Sequence, residues 1–316
     1  MQSTKKQVML AEAALLVAGL IWGSGFVVMK NSLDLLPVNW LLSLRFAIAA
    51  VVLCGILWKK VVHMSRQMLI AGLVCGVLLY AGYYVQTLGL TFTTAGNNAF
   101  ITSVYVVLVP LFHWLISKKK PGANAIAAAV LCLAGVGIIA LQQGLSINIG
   151  DVLTLFCGVL YAVHIVAVAR FTEKGLDVFL LTALQFLFAA LSAAAVGAFT
   201  EPFPAREVLL LPDTLSSLLY LGLGCTLLAL LLQNIGLRYA PVSHASLLMS
   251  TEAPFGFLFG ILFLSEPFTL RFLLGACLIA GSIVFSELGH KFLRKKQTIA
   301  EEECPLPASA LPAEQE

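Results

Sequence analysis

The sequence predicts an all-α integral membrane protein of ten transmembrane helices. They form two inverted-topology repeats of five, with both termini in the cytoplasm. Three observations carry this expectation. Apolar runs of about twenty residues, the length that spans a bilayer, recur along the chain. Of 316 residues, 60% are hydrophobic and 11% charged, against about 45–50% and roughly 25% in an ordinary soluble chain. A third signal is a motif that returns after 147 residues. A transmembrane β-barrel would need alternating segments, and these runs are continuous.

The spans fall at roughly 9–29, 39–58, 68–90, 96–116, 122–141, 151–170, 178–199, 214–237, 242–264 and 268–288. Lys5 and Lys6 precede the first, as in a signal peptide, but "LAEAALLVAGLIWGSGFVVMK" is longer than a signal core and reads as an uncleaved helix. Fifteen of the nineteen Lys and Arg residues lie in loops on the side of the N-terminus. Lys30, Arg206 and Arg271 are on the other side, and Arg45 is inside a span. That bias puts both termini in the cytoplasm. The expected units are residues 1–145 and 146–290, one five-helix repeat each, and a disordered, acidic, proline-containing tail at 291–316.

The net charge of +3 makes no case for nucleic acid. Six of the seven cysteines fall inside apolar segments, none with metal-finger spacing, so they read as packing residues. No metal or cofactor is expected.

The repeat is visible residue by residue. "QTLGLTFTTAGNNA" (Gln86–Ala99) aligns with "QNIGLRYAPVSHAS" (Gln233–Ser246), sharing Gln86/Gln233, Gly89/Gly236, Leu90/Leu237 and the aromatics Phe92/Tyr239. Gly19 and Trp22 correspond to Gly158 and Tyr161, and "RFAIAA" (Arg45–Ala50) meets "QFLFAA" (Gln185–Ala190). Because five is odd, the second half enters the membrane from the opposite face, the plan of many secondary transporters.

These segments, with "IWGSGFVVMKNSLDLLP" and the run Met249–Phe285, resemble the drug/metabolite transporter superfamily and, within it, the EamA-type branch. The likeness covers about 9–288. Ser265 stands where that family usually has glycine before Glu266, and "ISKKKPG" (Ile116–Gly122) stands where its first half often has a matching Glu. The resemblance implies a ten-helix exporter or exchanger of small metabolites, commonly amino acids or related compounds, in a bacterial inner membrane.

Glu252, with Pro254 two residues on, lies within the apolar stretch His244–Pro267. A carboxylate in hydrocarbon costs about 2.5–3.5 kcal/mol on insertion scales, so it signals a partner or a function. Three readings stay open: a proton-loading group, a structural carboxylate at a proline hinge, or a substrate contact. Arg45 could clamp a substrate carboxylate, snorkel outward or pair locally; Lys30 reads as an interfacial anchor. His164 is either a satisfied core histidine or a proton relay.

Trp22, Tyr80, Tyr83, Tyr84, Tyr105 and Tyr161 lie in mid-span, away from the interfaces where such aromatics collect. Asn98, Thr102 and Tyr105 share one face if the fourth span is a regular helix. Together with Gln86 and Gln233 these residues suit a cavity with apolar walls and few polar groups, or else helix–helix contacts. Gly19, Gly23 and Gly25 permit close helix approach.

The function expected is a secondary transporter working by alternating access, exporting small amphiphilic metabolites, with proton coupling as one option. The partners are a small-molecule substrate and the lipid bilayer. An uncoupled facilitator and an intramembrane enzyme are the alternatives. For the enzyme there is no paired intramembrane aspartate, and a Gly-x-Ser-Gly motif would need glycine at Trp22. A nucleotide-driven pump would need a phosphate-binding loop, and none is present.

Overall fold

The computed structural model describes residues 5–117, 123–140, 148–239, 245, 248–282 and 284–285. The expected tail at 291–316 and the boundary near 145 lie outside the described residues. Every regular element within them is helical.

In chain order the elements are α1 (Lys5–Ser32), α2 (Val38–Ile56), the short α3 (Trp58–Val62), α4 (Arg66–Phe92), α5 (Ala95–Thr102), α6 (Tyr105–Ser117) and α7 (Ala123–Ala140). The second half has α8 (Ile149–Glu173), α9 (Val178–Thr200), α10 (Arg206–Leu209), α11 (Pro212–Leu219), a π-helical stretch Tyr220–Leu228, α12 (Ala229–Tyr239), α13 (Glu252–Leu264) and α14 (Leu270–Ser282). Among the described residues, seven helical segments are long and apolar enough to cross a membrane, and Ile126–Ile139, Glu252–Leu264 and Leu270–Ser282 are shorter apolar helices. Val51, Phe199 and Leu262 stand fully out on the helix surfaces, side chains that suit a lipid solvent and not water.

Polar side chains start several helices. Ser65 accepts the Met68 amide at 3.1 Å, Thr94 that of Asn97 at 3.0 Å and Asn148 that of Gly150 at 2.7 Å. Asp177 caps α9 through the amides of Phe179 and Leu180 and meets Lys60 at 2.5 Å. Burial alone would raise the Asp177 carboxyl, but the Lys60 ammonium and those two amides outweigh it and hold it below its ordinary value.

Two of the expected spans are broken: the break before Pro254 falls where the sequence places a proline hinge, and the one at Ser103–Val104 corrects the reading of a regular fourth span. Around Ser103–Val104 the chain tightens to i→i−3 bonding, with Val104 N to Ile101 O at 3.2 Å and Val106 N to Ser103 O at 3.0 Å. The same two bonds recur 147 residues later, as Thr251 N to Leu248 O at 3.3 Å and Ala253 N to Ser250 O at 3.0 Å. Pro254 explains the second break: it has no N–H for the Ser250 carbonyl, so the Ala253 amide takes that acceptor one residue early.

α2 packs on α9, its counterpart in the second half, and α5 packs on α13. A Cβ on Gly135 of α7 would sit 2.8 Å from the Gly275 carbonyl, and one on Gly275 of α14 would sit 2.8 Å from the Gly135 carbonyl. α1 approaches α13 with equal intimacy. A Cβ on Gly23 would lie 2.4 Å from Phe255 Cβ, and one on Gly19 would meet the Glu252 backbone nitrogen at 3.2 Å. The buried apolar residues form two clusters, and Trp22 and Tyr161, equivalent positions in the repeat, pack against both.

One end of the bundle is tied by charge. Glu266 accepts from the Ala95 and Gly96 amides at 2.5 and 2.9 Å, so a carboxylate from the second half sits at the positive end of α5 in the first. Lys30 donates to the carbonyls of Leu90 and Thr93 at 2.6 and 2.7 Å, which makes it a cap on the end of α4 and not merely an interfacial anchor. Ser265 adopts φ 53°, the left-handed region, at the place where the resemblance expects glycine.

Candidate functional site

Between the two halves lies a narrow cavity of about 60 Å³ that opens to the surface. The first half contributes α1, α2, α4, α5 and α6; the second contributes α8, the π-helical stretch, α12 and α13. Of the residues expected at a site, Trp22, Arg45, Tyr83, Gln86, Asn98, Tyr105, Tyr161, His164, Gln233 and Glu252 line it. Tyr80, Tyr84, Thr102 and Pro254 do not.

The four outside have other roles. Tyr80 donates to Asn39 Oδ1 at 2.8 Å, and its ring packs 5.8 Å from Tyr84. Thr102 is buried one layer behind the wall and accepts from Gln86 Nε2 at 3.1 Å. Pro254 is exposed in the first turn of α13, where its missing N–H is cheapest.

The wall is a connected polar network on aromatic support. Tyr161 donates to Gln86 Oε1 at 2.9 Å, and Asn98 Nδ2 reaches the Gln86 carbonyl at 3.2 Å and Thr154 Oγ1 at 2.8 Å. That leaves the buried Asn98 Oδ1 without a partner among the described residues. Tyr83 meets Tyr161 edge to face at 5.4 Å, and Tyr105 meets Tyr161 at 6.5 Å. Trp22 donates its indole N–H to the Cys225 carbonyl at 2.9 Å, joining α1 to the π-helical stretch. His164 shares a 3.0 Å hydrogen bond with Gln185 Oε1, which leaves Gln185 Nε2 unsatisfied among the described residues.

Two ionisable side chains, an acid and a base, face this cavity. Glu252 is 6% exposed and lines the cavity together with Tyr105. Arg45 is 2% exposed and donates through Nε to Thr226 Oγ1 at 2.8 Å. Its guanidinium carbon stands 4.8 Å from the Tyr83 ring centre, a cation–π contact. So Arg45 neither snorkels outward nor pairs with a carboxylate: among the described residues the one salt bridge is Lys60–Asp177. Tyr83 and Tyr161 lie in electrostatic range of both Arg45 and Glu252. No cluster of three or more metal-binding side chains occurs among the described residues.

Reading the sequence missed Thr226 and the π-helical stretch. Thr226 Oγ1 donates to the Leu221 carbonyl five residues back, at 2.8 Å. That bond turns its lone pair toward Arg45. Glu266, visible in the sequence as part of a family-like run, is better placed to hold α5 than to touch the cavity.

Comparison with known proteins agrees with this architecture. The chain is 30% identical over 280 residues to an uncharacterised transporter of Archaeoglobus fulgidus, covering 88% of this chain and 86% of the relative. It is 26% identical over 288 residues to the uncharacterised transporter YoaV of Bacillus subtilis, covering 88% and 96%. A solved crystal structure, 18% identical, superposes with a TM-score of 0.65 over 90% of this chain and 98% of that one, a likeness of fold. The EamA-like transporter family matches the sequence twice, over residues 9–141 and 148–288. A multi-pass membrane protein whose two halves each match that family, and whose cavity lies between them, belongs to the EamA-like transporters of the drug/metabolite transporter superfamily.

Proposed function

We propose that the chain is an alternating-access carrier that exports small, partly apolar metabolites, such as amino acids or related compounds, across a bacterial inner membrane. The supporting observation is the cavity itself: both repeats build it, and repeat-related residues (Gln86 with Gln233, Trp22 with Tyr161, Tyr105 with Glu252) face it from opposite halves. In this reading the chain crosses the membrane ten times with both termini in the cytoplasm, and the reciprocal Gly135/Gly275 contact supports two halves related by an axis in the membrane plane.

Outward movement is coupled to proton entry in this reading, with Glu252 as the coupling group. It is a carboxyl in the membrane interior at a helix break, with no described base within salt-bridge distance. Reconstitution tests both parts. Proteoliposomes loaded with a panel of amino acids should release at least one faster under an imposed pH gradient. Release that is carrier-dependent but insensitive to the gradient would make the protein an uncoupled facilitator. Absence of carrier-dependent flux for every compound would remove the metabolite-carrier reading.

A further inference from the structure

Resting on the carrier reading, Arg45 fixes the chemical class of what enters the cavity. An ionised guanidinium in the membrane interior is expensive and needs a compensating partner. Here Nε is spent on Thr226, while neither Nη group has a hydrogen-bond partner among the described residues. No described carboxylate lies within salt-bridge distance. The side chain is nonetheless held in one place. Tyr83 lies under the guanidinium and Phe46 is 5.7 Å away. Thr226 is itself oriented by its bond to Leu221.

The π-helical stretch is built to permit this approach. A Cβ on Gly222 would be 3.0 Å from Ile48 and 3.2 Å from the Arg45 carbonyl, so glycine there lets α2 lie against the stretch and brings Thr226 to Arg45. The equivalent position in the second repeat carries Gln185, a neutral side chain bonded to His164 and absent from the cavity wall. Only one of two symmetry-related positions thus offers a positive charge, and the cavity is polarised: guanidinium on one side, Glu252 on the other, tyrosines between.

We propose that Arg45 is the anchor for a carboxylate on the transported molecule, received bidentately by the two Nη groups, and that the substrates are small monocarboxylates whose apolar part lies against Trp22, Tyr83 and Tyr161. The planar fork of arginine matches a carboxylate as lysine does not. Thr226 acts as a positioning residue, keeping Nε occupied so that the free edge faces the cavity.

The test uses the purified full chain and a panel of aliphatic and aromatic monocarboxylates, each beside its carboxamide, for example phenylalanine and phenylalaninamide. Ligand-induced thermal shift reads binding, and flux in proteoliposomes reads transport. The expected result is binding of at least one acid, with its carboxamide weaker by at least about tenfold. R45Q abolishes that preference and R45K fails to restore it. T226V leaves the charge in place and weakens the acid several-fold, with the carboxamide unchanged, so it carries the test if R45Q does not fold. Equal binding of acid and carboxamide to the natural protein overturns the proposal, as does undiminished acid binding by R45Q, or binding of no acid in the panel. Carrier-dependent flux of a compound lacking a carboxylate, in any of those cases, leaves the carrier reading standing. Acid binding through Arg45 without flux preserves the anchor and removes the carrier.

Discussion

Tyr105 and Glu252 both face the cavity, and the two residues hold the same place in their respective repeats. Each is the first residue of the helix that resumes after a tightened turn, 147 positions apart, and each turn is closed by the same pair of i→i−3 bonds. A duplication has left one scaffold feature in both halves and placed different chemistry on it, a phenol in the first and a carboxyl in the second. The pair therefore sets the two breaks on the wall of one cavity.

If Glu252 carries the proton, E252Q should retain exchange of substrate across the membrane and lose accumulation driven by a pH gradient. Coupling between proton and substrate amounts to a factor of about 5–150 in affinity, and that factor should fall to one. Y105F keeps the carboxyl and should show only a partial loss. In the double variant the two effects should not add, since both residues line one cavity at matched helix breaks. Gradient-driven uptake that survives E252Q unchanged would exclude this carboxyl as the coupling group.

The left-handed Ser265 makes an opposite kind of prediction, a gain. A side chain with a Cβ is strained at φ 53°, and glycine is not. S265G should raise stability by about 0.5–1 kcal/mol. E266Q removes the charge at the start of α5, where an acidic group contributes about 0.3–1 kcal/mol, and should lower it. Thermal unfolding in detergent measures both; S265G melting below the natural protein would contradict the strain argument.

Glycine positions separate close approach from free space. In G23A the new methyl would sit 2.4 Å from Phe255 Cβ and 2.9 Å from the Gly256 nitrogen. Overpacking of that kind costs about 1–3 kcal/mol. At Gly137 nothing lies within 4 Å, so G137A should be neutral, or stabilising by up to about 1 kcal/mol through helix propensity. Yields of monodisperse protein and melting temperatures would tell the two apart; a tolerated G23A would show that α1 and α13 can separate.

At the rim, Asp177 gives a pH dependence whose sign is fixed. Its carboxyl is held below the ordinary value, so its contribution is complete above the unfolded value near about 4 and fades as pH falls through the folded one. The pair with Lys60 is largely exposed, which keeps the effect small. D177N should melt slightly below the natural protein at pH 6, and the gap should close on acidification. A gap that widens at low pH would reverse the assignment.

Much of this architecture is legible in the sequence because the bilayer enforces it. Arg45, Gln86, Gln233 and Glu252 stand out against apolar runs, and a polar group there must face protein or a cavity. What is not legible depends on local backbone geometry. Tyr80 and Tyr83 are one turn apart on α4 and look alike, yet one bonds Asn39 and the other carries Arg45. Pro254 advertises the break before α13, but no proline marks the matching break at Ser103–Val104. Thr226 is an unremarkable threonine in an apolar run, and its role exists only because the helix around it widens to five-residue bonding.

The glycine contact between α1 and α13 has a mechanical consequence. Helices that interlock through ridges and grooves move relative to one another in jumps, since each side chain must leave its slot and find another. At Gly19 and Gly23 the first helix offers no side chain, and Thr251 Oγ1 and Phe255 Cβ fill the notches the glycines leave. A shift of the first turn of α13 along α1 must lift Thr251 and Phe255 out of those notches, so it comes in steps. Glu252 rides on that turn, so its carboxyl moves between discrete positions rather than along a continuum.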